Sequence, residues 1–374
     1  MSIDVLFLCP MQGNGGIASW TRHFLASFPN HEYQLYPIDI APDKDFTLFR
    51  GLDKWIYGIK TFLRAFRNIR KIIRQNPQIR LMHTTTSGGN GALRDYYLGK
   101  YCKEKGMKMI LHCRFGSIYE LYESNHWQSY YFRQSLDLYD QIWVLDQHSA
   151  DFLRSKTELR EKVFLTPNSI EVPDTCNLQP KTFQRIGFIG NLLPTKGIFE
   201  LTEAVASLPD NTRLVIVGQG LKPDVERIMS IAGDKLGKNI FFLGYLTNPE
   251  AVKLIESLDV ICLPTYYPDE AFPISILEAM SRGKLVISCP RAAIPDMLTF
   301  TDGTPCGILI PEKSAQAIAD AIRWCQEHHD EADLLCKKAY EKVKSSYSQN
   351  IVYKIYRENY NLARSRSGCS SRPA

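Results

Sequence analysis

An alternation of short apolar runs with helix-length segments constrains this chain more than any other feature, and it proceeds, breaks off and restarts. In the first half the runs are Ile3–Cys9, Tyr33–Ile38, Ile79–Thr84, Lys108–Cys113, Gln141–Leu145 and Val163–Thr166. Helical periodicity fills the gaps between them, most clearly in Trp55, Ile56, Ile59, Phe62, Leu63, Phe66, Ile69 and Ile73. Strands spaced by helices of this length imply right-handed crossovers and a parallel, doubly wound sheet. The stretch Glu171–Gln184 is polar, carries Pro173 and Pro180, and has no period, so an interdomain linker is expected there. Six further runs follow: Arg185–Gly190, Arg213–Gly218, Ile240–Gly244, Val260–Leu263, Leu285–Ser288 and Gly307–Ile310. A helix is expected over Gln349–Ala363, with a disordered tail after it.

The reading is therefore an α/β protein of two Rossmann-like domains, 1–172 and 183–345, with 349–364 as a closing helix. A length of 374 residues suits two domains of ordinary size. No apolar run approaches the roughly 18 residues needed to cross a bilayer. Residues 1–10 lack a basic leader, so no secretory signal is expected and the chain reads as cytoplasmic. The ten cysteines form no C-x-x-C pair, and Cys9, Cys113, Cys262 and Cys289 sit in or beside apolar runs, as thiols do in a reducing compartment. No metal-ligand spacing accompanies them. Asp43-Lys44-Asp45 has a D-x-D pattern but follows Pro42 in a polar loop, where it reads as solvated turn.

Charge is uneven. From Asp53 to Arg80 there are eight basic residues against one acid, on a helix with an apolar face. Such a helix either packs on a core with ordinary surface charge or lies on an anionic membrane, and 53–80 is the candidate membrane surface. Nucleic acid is not expected, since no aromatic-interleaved basic motif occurs.

The chemistry concentrates in Leu258–Ser288, where a strand ends at Leu263-Pro264 and a loop carries Glu270. A helix opening near Pro273-Ile274-Ser275 would offer backbone N–H groups to an anion and would carry Glu278. Seven residues separate the two glutamates, so one sits in the loop and the other a turn inside the helix. Earlier, Gly13, Gly15 and Gly16 follow the first strand in a loop that could cradle a phosphate. The same loop with Asp39 at the end of the next strand also admits a dinucleotide reading, although the third glycine of G-x-G-x-x-G is missing.

The string around Glu270 resembles the signature of the retaining glycosyltransferase family 4, the glycosyl transferases group 1. Asp259, Glu270, Phe272, Pro273, Glu278, Ala279, Met280 and Gly283 fall on its pattern. Gly15-Gly16-Ile17, His112, Pro167-Asn168, Phe188-Ile189-Gly190, Lys196-Gly197, Val217-Gly218-Gln219-Gly220 and Phe242-Leu243-Gly244 recur in the family's order. The resemblance covers nearly the whole chain. It implies a GT-B fold, with the two domains facing a central cleft. It also implies transfer of a sugar, with retention, from a nucleotide-sugar donor to a glycan or a polyprenyl- or lipid-linked acceptor.

In that scheme Lys196 holds the diphosphate, Glu278 the ribose, and Glu270 and His112 the sugar. Gly190, Asn191, Gly218, Ile274 and Ser275 line the nucleotide, and Gly15 and Gly16 approach from the first domain. No metal or other cofactor is implied. UDP is the commonest donor base of such enzymes, and surface polysaccharide synthesis at the inner face of the membrane fits the pattern. Asn191 stands where the family usually carries arginine and supplies neither charge nor a two-pronged donor. Arg114 or Arg185 are candidates to compensate. Competing readings are a silent GT-B partner protein, a nucleotide-sugar epimerase and an NAD-dependent oxidoreductase.

Overall fold

The computed structural model describes residues 2–13, 15–29, 32–41, 52–176, 178 and 181–365, with side chains in the basic segment from residue 56 onward. The D-x-D string 43–45, Pro180 and the side chains of Asp53 and Lys54 lie outside what is described.

The chain divides into two compact units, Met1–Thr166 with Tyr353–Ala374, and Pro167–Val352. The first holds β1 (Ile3–Cys9), α1 (Gly16–Ser27), β2 (Tyr33–Asp39), α2 (Leu52–Gln75), β3 (Leu81–Thr86) and α3 (Gly91–Glu104). It continues with β4 (Lys108–Cys113), α4 (Ile118–Glu123), α5 (Trp127–Leu138), β5 (Gln141–Val144), α6 (Gln147–Arg154) and β6 (Val163–Leu165). All pairings are parallel, in the order β2-β1-β3-β4-β5-β6. β3 and β5 are buried at every position, as strands covered by helices on both faces must be.

The second unit holds β7 (Arg185–Ile189), α7 (Ile198–Ser207), β8 (Arg213–Val217), α8 (Lys222–Ala232), β9 (Ile240–Gly244) and α9 (Asn248–Ser257). After these come β10 (Val260–Leu263), α10 (Ile274–Met280), β11 (Leu285–Ser288), α11 (Ile294–Leu298), β12 (Ile308–Leu309), α12 (Ala315–Glu327) and α13 (His329–Lys342). Its sheet is parallel too, in the order β12-β11-β10-β7-β8-β9. Both units are thus doubly wound α/β sheets.

The chain changes unit at Pro167, ahead of the polar stretch. The amide Nδ2 of Asn168 donates to the Phe272 carbonyl at 2.9 Å and Ile170 bridges Ser348, which ties this segment to the second unit. The last helix, α14 (Gln349–Ser365), carries the chain onward, and from Tyr353 it belongs to the first unit. There Tyr356 and Tyr360 are buried against Trp143, with ring centroids at 4.9 and 5.3 Å.

Strand order fixes where each unit can bind. A doubly wound sheet opens a crevice at the carboxyl ends of the two neighbouring strands whose connections leave in opposite directions. In the first unit these are β1 and β3; in the second they are β7 and β10.

Candidate active site

In the second unit, the loop after β7 carries Gly190, Asn191 and Lys196, and the loop after β10 carries Thr265 and Glu270. Two glycines let these loops close up. Gly197 has φ +74°, and a Cβ there would lie 2.2 Å from the Pro264 carbonyl oxygen, so no other residue fits. The Tyr266 N–H donates to the Thr195 carbonyl at 2.8 Å across the same contact. Lys196 is thereby brought to Glu270, and its Nζ is ion-paired to Oε2. Thr265 Oγ1 donates to the same oxygen at 2.9 Å, and the Tyr267 ring lies 5.2 Å from Nζ. Arg291 braces this loop by donating to the Tyr267 and Pro268 carbonyls at 3.3 and 3.2 Å.

The neighbouring loop after β8 packs against the first. A Cβ on Gly218 would fall 1.8 Å from the Gly190 carbonyl oxygen, and the Gly190 N–H donates to Val217 at 3.1 Å. Asn191 itself is exposed, while Gly190 and Gly218 are half-buried.

Beyond Glu270 the chain runs through Phe272 and Pro273 into α10, whose first residues Ile274 and Ser275 are half-buried. Glu278 lies within α10 and is 6 % exposed. Burial pushes its carboxyl up from the ordinary range, with Asn248 and Arg282 acting the other way. Asn248, at the start of α9, donates Nδ2–H to Glu278 Oε1 at 2.6 Å. Asn248 and Arg291 were not legible as site residues in the sequence; only proximity in the folded chain reveals them.

In the first unit, Gly15 and Gly16 are exposed after β1. Arg22 donates to the carbonyls of Met11 and Gly13 at 3.1 and 3.0 Å, holding the loop from within α1. His112 is fully buried at the end of β4, with Trp20 at 5.3 Å and Trp143 at 5.5 Å. Its Nδ1 faces His83 Nε2 at 3.2 Å and its Nε2 faces Arg114 Nη1 at 3.2 Å. The His83 Nδ1 meets Tyr360 Oη at 2.6 Å. Burial and then the Arg114 charge hold both imidazoles well below their usual pKa, so both are neutral near pH 7. Arg114 is stacked 3.6 Å over the Trp20 ring, and although burial pulls it down to about 10 it remains cationic. Within its unit His112 thus has the setting of a core histidine in a buried polar chain, rather than the open position expected of a sugar-binding residue.

Among the described residues no three of His, Cys, Asp or Glu converge as metal ligands. No described helix is long and apolar enough to cross a membrane.

Residues 176–342 match the family described as glycosyl transferases group 1. The chain carries a glycosyltransferase domain of this group. An uncharacterized glycosyltransferase, MJ1069 of Methanocaldococcus jannaschii, is 24% identical over 329 residues, or 81% of this chain and 79% of that protein. The amylovoran biosynthesis glycosyltransferase AmsK of Erwinia amylovora is 26% identical over 207 residues, covering 52% of this chain and 49% of its own length. Among solved structures, HepE of Anabaena in complex with UDP-glucose superposes with a TM-score of 0.68 over 97% of this chain and 100% of that one, at 16% identity. The fold is that of GT-B glycosyltransferases.

Two sequence suggestions are corrected for this glycosyltransferase. Arg185 does not compensate for Asn191. It opens β7, at the far end of the strand from Gly190, and its Nη2 is paired with the buried Asp259 at 2.7 Å. Asp39 is not poised for a ribose. Its Oδ1 accepts the N–H groups of Met11 and Ala41 at 3.0 and 2.8 Å, which shapes the glycine loop. Arg114, the other suggested substitute, is built into the first unit between Trp20 and His112.

Proposed function

We propose that this glycosyltransferase uses a nucleotide-sugar donor, a UDP-sugar in preference, and transfers the sugar with retention to a glycan or a polyprenyl- or lipid-linked acceptor. The observation that carries the reading is the convergence of Lys196 and Glu270 at the β7/β10 switch point, where the strand order opens a crevice. Lys196 supplies positive charge where a leaving diphosphate develops negative charge, and such placed charge is the largest single source of rate in many enzymes. No metal is called on for that task. Asn191 adds no charge, so Lys196 carries the clamp with little help. A diphosphate entering the crevice meets Lys196 already paired, and Glu270 is released to accept from hydroxyls of the sugar.

Glu278, fixed by Asn248, accepts from the ribose hydroxyls. Gly15 and Gly16 leave the loop after β1 bare, so a ligand can approach its backbone. A relative named for amylovoran biosynthesis and a fold neighbour solved with UDP-glucose support polysaccharide assembly with a UDP-linked donor, which we read as surface polysaccharide synthesis in the cytoplasm.

Thermal unfolding with UDP, GDP, ADP and NAD, repeated on Glu278→Ala, tests the reading. A ligand at a hundredfold excess over its Kd stabilises the folded state by about 2.7 kcal/mol. UDP is expected to raise Tm in the parent and not in the variant. A shift with NAD alone would overturn the proposal, and the anomeric configuration of the product tests retention.

A further inference from the structure

Helix α2 presents a stripe to solvent that is divided along its length. Ile56, Ile59 and Leu63, at its amino end, are 47 %, 56 % and 41 % exposed, which is unusual for residues of this kind. Farther along the same stripe come Arg67, Arg70, Lys71 and Arg74, spaced so that all fall on one side of the helix. With Gln75 these four line a shallow pocket of about 350 Å³. Among the described residues no carboxylate pairs with any of them. The opposite side of α2, with Ala65 and Ile69 fully buried, is the side that packs on the core. Arg64 is not part of the cationic stripe, because its guanidinium donates to the Ala41 carbonyl.

A second feature lies on the adjoining helices. Phe66 of α2 meets Tyr101 of α3 at 4.9 Å, and Tyr96 and Tyr97 of α3 meet Tyr131 of α5 at 5.6 and 5.9 Å. Around this seam Tyr97, Trp127 and Tyr130 are 45 %, 40 % and 54 % exposed. Large exposed aromatic rings with a polar edge suit the zone between water and hydrocarbon.

We propose that this face of the first unit, α2 with α3 and α5, docks on the surface of an anionic lipid bilayer. The apolar end of α2 and the aromatic rings enter the headgroup zone, and the cationic end rests on lipid phosphates. The stripe from Ile56 to Arg74 runs about 27 Å at 1.5 Å per residue, so the helix lies along the membrane rather than into it. A polynucleotide would match the cations but leave Ile56, Ile59 and Leu63 in water. A bilayer answers both halves of the stripe. The inference stands on this surface alone and does not require the donor or acceptor assigned above.

Vesicle flotation of the full chain tests it, with phosphatidylcholine alone or with phosphatidylglycerol added. Binding to the anionic vesicles is expected to exceed binding to the neutral ones at least tenfold. Each basic residue near an anionic surface is worth about fivefold in partition, so joint replacement of Arg67, Arg70 and Arg74 by glutamine should cost about a hundredfold. Joint replacement of Ile59 and Leu63 by serine should cost about tenfold, and that loss should persist in salt that screens the charges. Circular dichroism and donor turnover in solution should not change in either variant, which separates failure of this surface from failure of the transferase reading. Equal binding to both vesicle types, no binding to either, or parent-like binding by the glutamine variant would overturn the proposal. An acidic protein that binds the stripe while vesicles do not would overturn it as well.

Discussion

The glycine-bearing loops after β1 and after β7 and β8 differ in what demands the glycine. After β7 and β8, Gly197 and Gly218 are packed so tightly that a Cβ would strike a carbonyl oxygen, at 2.2 and 1.8 Å. After β1, a Cβ on Gly15 or Gly16 would meet nothing within 4 Å, and Gly15 has an ordinary φ of −74°. In the second unit the fold itself requires glycine. In the loop after β1, Gly13 is required by its φ of +95°, but Gly15 and Gly16 are not, so the bare backbone at those two positions serves something other than the fold. A glycine pattern in sequence therefore merges two causes that only packing separates.

The contrast breaks most sharply under substitution. Gly218→Ala should destabilise the second unit by about 3 kcal/mol or more, read by thermal or denaturant unfolding, because neither colliding group can yield cheaply. Gly16→Ala should do the reverse. It removes a flexible residue from the first turn of α1 and is expected to stabilise by up to about 1 kcal/mol. If a ligand approaches that backbone, transfer should fall all the same; an alanine variant that is both more stable and fully active would show that the loop is idle.

Lys196→Ala should lower turnover by about 10²- to 10³-fold, the usual loss of one placed donor. Unchanged turnover would remove the lysine from the clamp. Asn191→Arg is a gain-of-function counterpart: a second charge in the loop should tighten UDP binding by about tenfold, measured by calorimetry.

The smallest effect is one of pH. Burial raises the Glu278 pKa above its unfolded value, so its ionised form opposes folding. Protonation relieves this, and the parent should gain stability as pH falls from neutral toward the unfolded value near 4.5. Glu278→Gln should match or exceed the parent Tm at pH 7 and converge with it near pH 5, while binding UDP more weakly. A variant that melts lower at pH 7 would show that the carboxylate stabilises the fold.

The strands among the described residues were readable because buried parallel strands are continuous apolar runs, and a run such as Val260–Leu263 has few other folds open to it. The pairing of Lys196 with Glu270 was legible only as two marks of one motif, since the contact depends on Gly197 against Pro264. The apolar string Ile110-Leu111-His112-Cys113 left a core histidine open, but the rings that decide it, Trp20, Trp143 and Tyr356, come from widely separated parts of the chain. Arg185 misled for a related reason. It stands close to Gly190 in sequence, yet a strand of five residues spans roughly 16 Å and sets the two at opposite edges of the sheet.

The route of α14 has a consequence for how the protein is made. Tyr356 and Tyr360 close the interior of the first unit, and Tyr360 completes the hydrogen bonding of His83. Those residues leave the ribosome well after the rest of the first unit. The first unit is begun early but lacks a wall until the whole second unit has been made, a wait of the order of ten to forty seconds at roughly 5–20 residues per second. During that interval Phe24, Phe28 and Trp143 lack their partners from α14. Nascent chains stalled before residue 353 should therefore depend on chaperones far more than the finished protein does.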